Sequence, residues 1–327
     1  MAPAVTRTTH WRKIACLLLV LCLKLAWPAA AQSPTLQAGA RQEPITPIPT
    51  ALAPDPKRLL LGERLFNDRR LSHGDTHSCA SCHDVATNGA TAKAHDTADG
   101  QPMALNTPTV FNVSLNFRLN WEGNIRSLEQ GAEHTLRKTM ASSVEEAVGK
   151  LRADPEAVRQ FRDAYGREPD AASVLDAIAT YERSLVTPGS RFDRWLSGEA
   201  DAITALELSG YQVFKSLGCI SCHQGVNVGG NLFQRHGVFH PLGSPEPVLL
   251  RVPGLRNVAT TAPYFHDGSA RTLPEVVKMM GIAQLDRVLS ESQIAAIVAF
   301  LNTLTGTYGG HLVRPAGATP QPGPEFR

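Results

Sequence analysis

Past its first thirty-odd residues this chain has no run of about 20 apolar residues, the length that a membrane-crossing helix needs. A soluble mature protein is therefore expected. Cysteine is scarce: six occur in 327 residues, and two of them, Cys16 and Cys22, fall within the first thirty-one. The other four belong to two short motifs described below, which leaves none for a disulfide framework. Neither sign of charge dominates, since 32 Lys and Arg face 30 Asp and Glu for a formal net charge of +2. Nucleic-acid binding needs a concentrated basic face, so that class is excluded. Sustained alternation of apolar and polar residues is also missing, which argues against a mainly β fold.

What stands at the start reads as a secretory signal peptide over residues 1–31. Arg7, Arg12 and Lys13 supply a positive beginning, Ile14 to Trp27 a mostly apolar stretch, and Ala29-Ala30-Ala31 a small-residue cleavage site ahead of Gln32. Leu21 precedes Cys22 where a lipoprotein signal would carry a small residue. Cleavage would remove four basic residues and no acids, taking the formal charge from +2 to −2. A periplasmic location is the expectation.

Two pentapeptides carry the chemistry: Cys79-Ala80-Ser81-Cys82-His83 and, 140 residues on, Cys219-Ile220-Ser221-Cys222-His223. Each is a C-x-x-C-H run, the attachment signature of c-type haem. Two thiols at this spacing can bond the two vinyl edges of one porphyrin, and the adjacent histidine then serves as proximal iron ligand. A C-x-x-C pair alone also fits a zinc knuckle or a thiol redox pair. The completing histidine in both copies, in a chain that looks exported, selects haem. Two covalently bound haem c groups are expected.

The surrounding pattern is helical. Lys57 to Phe66 makes a short amphipathic helix. Ser142-Ser143-Val144-Glu145 reads as a capping box that opens a helix to about Arg152. Asp170 to Val186 aligns Val174, Ala177, Ile178, Tyr181 and Leu185 on one face. Thr204-Ala205-Leu206-Glu207 and Ser290-Glu291-Ser292-Gln293 are further capping boxes, and Thr272-Leu273-Pro274-Glu275 begins a helix bearing Met279 and Met280. Each half repeats one plan of helix, pentapeptide, loops and later helices. The expected architecture is mainly α, with two cytochrome c-like haem domains in tandem at 57–190 and 191–313. A Pro-rich extended leader at 32–56 and a disordered tail at 314–327 flank them.

Several blocks extend the pentapeptides. They include Leu61-Gly62, Asn106-Thr107-Pro108-Thr109-Val110-Phe111-Asn112 and Trp121-Glu122-Gly123 in the first half. In the second are Gly225-Val226-Asn227-Val228-Gly229-Gly230, Leu255-Arg256-Asn257-Val258-Ala259, Thr261-Ala262-Pro263-Tyr264-Phe265-His266 and Met280-Gly281. With these blocks in this order the chain resembles the bacterial dihaem cytochrome c peroxidases and their MauG-like relatives. The resemblance implies that the His83 haem is the peroxidatic site. The His223 haem would accept electrons, with Met280 as its sixth ligand and Met279 as the fallback. Trp121 would relay electrons between them. Asn106, Thr261 and Pro263 would hold an interdomain calcium ion. His95 is the candidate for a reversible sixth ligand on the first haem, the alternative being an ordinary solvated loop histidine. His266 would neighbour the second haem, and His73 and His77 would be surface or outer groups.

One position departs from the family. Peroxide cleavage needs a general acid/base over the open iron. The family places a Gln there and, some ten residues later, a Glu-Met pair. Here Gln130 and Met140 have counterparts, but Thr139 stands where the Glu should be. Glu133 or His134 could substitute through a rearranged loop, ordered water could carry slower chemistry, or the first haem could be a closed redox site. The leading expectation is a periplasmic oxidoreductase that reduces hydrogen peroxide with electrons from a small cytochrome c or cupredoxin. The alternatives are a MauG-like oxidase acting on a protein substrate and a non-enzymatic dihaem carrier. A homodimer is an assembly known in the family.

Overall fold

Helix α1, Pro56–Phe66, starts where Asp55 accepts from the backbone N–H groups of Lys57 and Arg58 and where Pro56 supplies a first residue with preset φ. Its Gly62 presses on a second helix, Ala171–Ser184: a Cβ there would lie 2.0 Å from the Ala177 carbonyl oxygen. The same crossing recurs in the second half, between helices Ala205–Ser216 and Glu291–Asn302, where a Cβ on Gly210 would lie 1.8 Å from the Ala296 carbonyl oxygen. Each crossing also stacks a pair of rings, Phe66 on Tyr181 at 5.2 Å and Phe214 on Phe300 at 5.2 Å. The fold is a duplication, and glycine is required at both crossings because only it allows such close backbone approach.

This computed structural model describes residues 42–50, 53–98, 101–242 and 249–319. The expected signal peptide lies outside the described residues. The remaining helices are α2 (Leu128–Lys138), α3 (Val144–Arg152), α4 (Pro155–Tyr165), α5 (Ala171–Ser184), α6 (Arg191–Leu196), α7 (Ala205–Ser216), α8 (Leu273–Leu285) and α9 (Glu291–Asn302). Among the described residues, strands form three short antiparallel pairs: β1 (Thr97–Ala98) with β2 (Gln101–Pro102), β3 (Phe233–Arg235) with β4 (Leu249–Arg251), and β5 (Thr307–Tyr308) with β6 (His311–Leu312). No helix among the described residues is long and apolar enough to cross a membrane. The expected mainly α architecture holds.

Most expected caps are present. Thr204 with Glu207 and Ser290 with Gln293 form complete capping boxes, and Thr272 caps α8. Two expectations need correction. The box expected at Ser142 is shifted by one residue: Ser143 is the cap, accepting from the Glu146 N–H, because Ser142 is spent on the turn that leaves α2. The run Gln130 to Lys138, expected as a loop, is helix α2, capped by Ser127 and packed through Leu128, Ala132 and Leu136.

The two lobes meet at a pseudo-symmetric polar seam. Asn112 and Asn257 are both fully buried at positive φ, and each introduces a short 3-10 turn. Their side-chain amides donate to one oxygen, Oγ1 of Thr187, at 2.8 and 2.9 Å. Asn88 reaches from the first lobe to the Thr260 carbonyl, and Asn227 returns the contact to the Asn112 carbonyl at 3.0 Å. Buried amides with every partner inside the seam fix one relative placement of the lobes.

The chain ends cross over. The segment 42–50, part of the expected Pro-rich extended leader, docks on the second lobe: Ile45 is fully buried, the Gly225 N–H donates to the Pro44 carbonyl, and Arg256 donates to the Thr46 carbonyl. Glu43 accepts from Tyr211 at 2.8 Å and Lys215 at 2.9 Å. In the other direction the β5–β6 hairpin covers the first lobe, where Val313 joins Leu59, Phe66 and Leu185 in one cluster. Of the expected tail, residues 315–318 make a turn closed by Ala318 N–H on Pro315, and 320–327 lie outside the described residues.

Candidate haem and redox site

Both pentapeptides fold the same way. Cys79–Ser81 and Cys219–Ser221 are single 3-10 turns, after which the N–H groups of His83 and His223 donate back to Cys79 and Cys219 at 3.0 Å. Each imidazole then donates from Nδ1 to a nearby carbonyl, His83 to Gly89 at 3.2 Å and His223 to Val228 at 3.3 Å. That bond fixes the tautomer and leaves Nε2 as a free lone pair, the state an iron ligand needs. Burial holds both rings neutral, pushing His83 below the usual histidine range and His223 to about 4. The four thiols are unpaired, and burial pushes Cys79 up to about 12 and Cys82 and Cys219 to about 11. Two neutral thiols and one oriented imidazole per site suit covalent haem.

The second pentapeptide opens on a cavity of about 580 Å³ lined by Cys219, Cys222, His223 and Met280. Of the two adjacent methionines, Met280 faces this cavity, while Met279 packs on the surrounding core. The wall toward the first lobe is built on Trp121. Its Nε1 donates to the Asn106 carbonyl at 2.8 Å, His266 meets its ring edge-on at 4.5 Å, and the Arg251 guanidinium lies 5.1 Å above it. Arg251 is buried and donates from Nε to the Asn120 carbonyl, and burial lowers it to about 10. His236, which sequence reasoning missed, packs edge-on against His266 at 4.9 Å.

Asn106, Thr261 and Pro263 share the same wall. The Asn106 amide donates to the Pro263 carbonyl at 3.4 Å, and its Oδ1 is buried without a partner among the described residues. An orphaned amide oxygen beside a carbonyl offers oxygen donors of the kind a hard cation takes. The residues fit calcium.

Around the first pentapeptide the expected residues are scattered. His95 is exposed and donates from Nδ1 to the Met103 carbonyl at 2.8 Å. Its neighbour Asp96 is buried, accepts from Thr91 and Thr107, and adds to the upward push on the Cys82 thiol. Gln130 is exposed and accepts from the Arg126 N–H, closing the start of α2. Glu133 pairs with Arg137 one turn along the same helix at 2.8 Å. Among the described residues, no hydrogen bond or ion pair joins Gln130, Glu133 or His134 to the first pentapeptide. His73 pairs with Glu146 and His77 with Thr76, both exposed as expected.

A carboxyl that sequence reasoning passed over does act on this site. Glu182 on α5 contributes to the upward push on Cys79, and burial raises Glu182 itself to about 8. Its signal was available: position 182 falls four residues after Ile178 and three before Leu185, on the inward stripe of the helix.

The comparisons accord with this geometry. The family described as di-haem cytochrome c peroxidase matches residues 56–201, and the cytochrome c family matches 208–305. A cytochrome c551 peroxidase of Nitrosomonas europaea is 38% identical over 82% of this chain and 85% of its own length. The chain belongs to the di-haem cytochrome c peroxidase family. It carries two haem c groups and is an oxidoreductase of the peroxidase type. Within this family the methylamine utilization protein MauG of Methylorubrum extorquens is 31% identical over 82% of this chain and 84% of its own length. The solved structure of a MauG-like protein associated with microbial copper homeostasis superposes with a TM-score of 0.68 at 26% identity, covering 79% of this chain and 93% of that one. Thr139, which stands where the distal acid was expected, caps the end of α2.

Proposed function

We propose that this protein reduces hydrogen peroxide at the His83 site with electrons that enter one at a time at the His223 site. The observation that carries this reading is the inequality of the two sites: a methionine, Met280, shares the cavity of His223. A thioether opposite imidazole raises the potential of a haem, which suits an electron-accepting site. Haem supplies the one-electron chemistry at both sites and, at the first, a position for peroxide.

The chain's own residues do the rest. His223 and Met280 hold the second group, and His83 the first. Trp121, pinned by Asn106 and flanked by Arg251 and His266, offers an oriented indole on the wall between the lobes. Asn106, Thr261 and Pro263 bind calcium and so stiffen the support of that indole. His95, with Nδ1 committed to Met103, keeps Nε2 free as a reversible sixth ligand of the first site. Since Glu133 is engaged by Arg137 and Thr139 has no basic group, proton movement during peroxide cleavage falls to His134 or ordered water. The domains are taken as 57–190 and 191–313, acting in the periplasm on a small cytochrome c or cupredoxin.

Stopped-flow mixing of the holo-protein with peroxide and a reduced small c-type cytochrome tests the reading. Rapid oxidation of the cytochrome in step with peroxide loss is expected. A long-lived oxidised state indifferent to the donor would instead mark a MauG-like protein oxidase, and no reaction would leave a dihaem carrier.

A further inference from the structure

The ring crossing repeated in the two lobes differs in one hydroxyl group. In the second lobe the ring that packs on Phe214 is Phe300, whereas in the first the ring that packs on Phe66 is Tyr181, with 1% of its surface exposed. Phe300 demonstrates that the crossing needs only a ring. The Tyr181 hydroxyl is therefore a polar group carried into the core without a packing purpose, which costs stability. A second phenol stands beside it. Tyr308, on the β5–β6 hairpin, has its hydroxyl buried with no hydrogen-bond partner among the described residues, and its ring packs on Phe111 at 5.0 Å. The second lobe does hold a nearby tyrosine, Tyr211, but its hydroxyl is bound by Glu43 at 2.8 Å.

These rings form a continuous series that starts at the first haem site. His83 lies 6.5 Å from Phe66, Phe66 lies 5.2 Å from Tyr181, and Tyr308 packs on the cluster that holds Phe66 and Tyr181. Tyr308 is partly exposed, and Gly309 and Gly310 complete the hairpin turn beside it. The series thus runs from the buried imidazole to the surface. It leads away from Trp121 and the second lobe.

We propose that Tyr181 and Tyr308 form a redox pair that surrenders an electron to the first haem site when peroxide has oxidised it and no donor is bound, carrying the oxidising equivalent to the hairpin surface. The inference rests on the peroxide reading above. In the step, the Tyr308 O–H bond breaks and Tyr308 becomes a neutral phenoxyl radical. One electron passes by way of Tyr181 and reduces the first site by one equivalent. The proton goes to the Glu63 carboxylate, which stands on the same helix face as Leu59 and Phe66, residues of the cluster on which Tyr308 packs. A small one-electron reductant meeting the hairpin restores Tyr308, and the proton returns from Glu63. Burial keeps both phenols protonated at neutral pH, so the electron and proton must leave together.

The test uses the holo-protein mixed with hydrogen peroxide without any donor, freeze-quenched and read by electron paramagnetic resonance. A phenoxyl signal is expected in the wild type, and peptide mapping should find oxidised tyrosine at 308. Tyr308→Phe should lose that signal, keep donor-driven peroxide turnover, and bleach its first haem severalfold faster under repeated peroxide. Tyr181→Phe should weaken the signal as well. The proposal is overturned if peroxide is consumed and the wild type gives no phenoxyl, or if the signal persists in both variants. If no peroxide is consumed with or without donor, the peroxide reading fails and takes this inference with it.

Discussion

Replacing Thr187 by valine removes one oxygen and leaves the shape of the side chain nearly unchanged. That oxygen accepts from the amides of Asn112 at 2.8 Å and Asn257 at 2.9 Å, and all three residues are almost fully enclosed. Valine would strand both donors. Each stranded buried donor costs about 1–3 kcal/mol, so Thr187→Val should lose about 2–6 kcal/mol. This is a large share of the roughly 5–15 kcal/mol by which a domain is usually stable. Thr187→Ser keeps the oxygen and loses one methyl group, worth about 1 kcal/mol. Because Asn112 belongs to the first lobe and Asn257 to the second, both lobes should weaken together. Guanidinium unfolding of the holo-protein, followed by haem absorbance and helix content, reads the difference. A loss under about 1 kcal/mol for valine, or an equal loss for serine, would refute the reasoning from stranded amides.

Two further outcomes follow from buried oxygen atoms. Burial raises the Glu182 carboxyl to about 8, above its ordinary 4.5, so the folded protein holds that proton more tightly than the unfolded chain. Its contribution to stability is complete below the ordinary value and is lost as pH rises through the folded one. Glu182→Gln should therefore flatten the fall in urea midpoint between about pH 5 and about pH 8.5, and an unaltered slope would mean that another group is responsible. At the seam between the lobes, Asn106→Ala removes the unpartnered amide oxygen and should abolish calcium binding in a calorimetric titration of the holo-protein. An isotherm unchanged by the substitution would exclude the Asn106 site.

Signals that are local in sequence were legible without the structure. The two C-x-x-C-H runs and the caps at Thr204 and Ser290 each complete themselves within five residues, so spacing alone identifies them. Met280 was reached through its neighbours, and it lines the His223 cavity. The seam was not legible, because the Thr187 hub joins residues separated by 75 and 70 positions. Nor was the exchange of chain ends, since a Pro-rich leader has the same composition whether it floats or docks, and only Ile45 and Ile48 carry the burial. The α2 misreading has a plain cause. Gly131, Thr135 and Thr139 weaken helix propensity, yet Leu128, Ala132 and Leu136 on one face outweigh them once a core is there to receive it.

The central claim is that the two haem sites are unequal because Met280 serves one of them. Potentiometric titration of the holo-protein and of Met280→His measures this directly. The wild type should show two well-separated midpoints, with the higher one belonging to the His223 site. Met280→His should keep both groups attached, lower the higher midpoint by an amount on the order of hundreds of millivolts, and leave the lower one in place. Two unchanged midpoints in the variant would contradict the account, because Met280 would then not be the ligand that sets the sites apart.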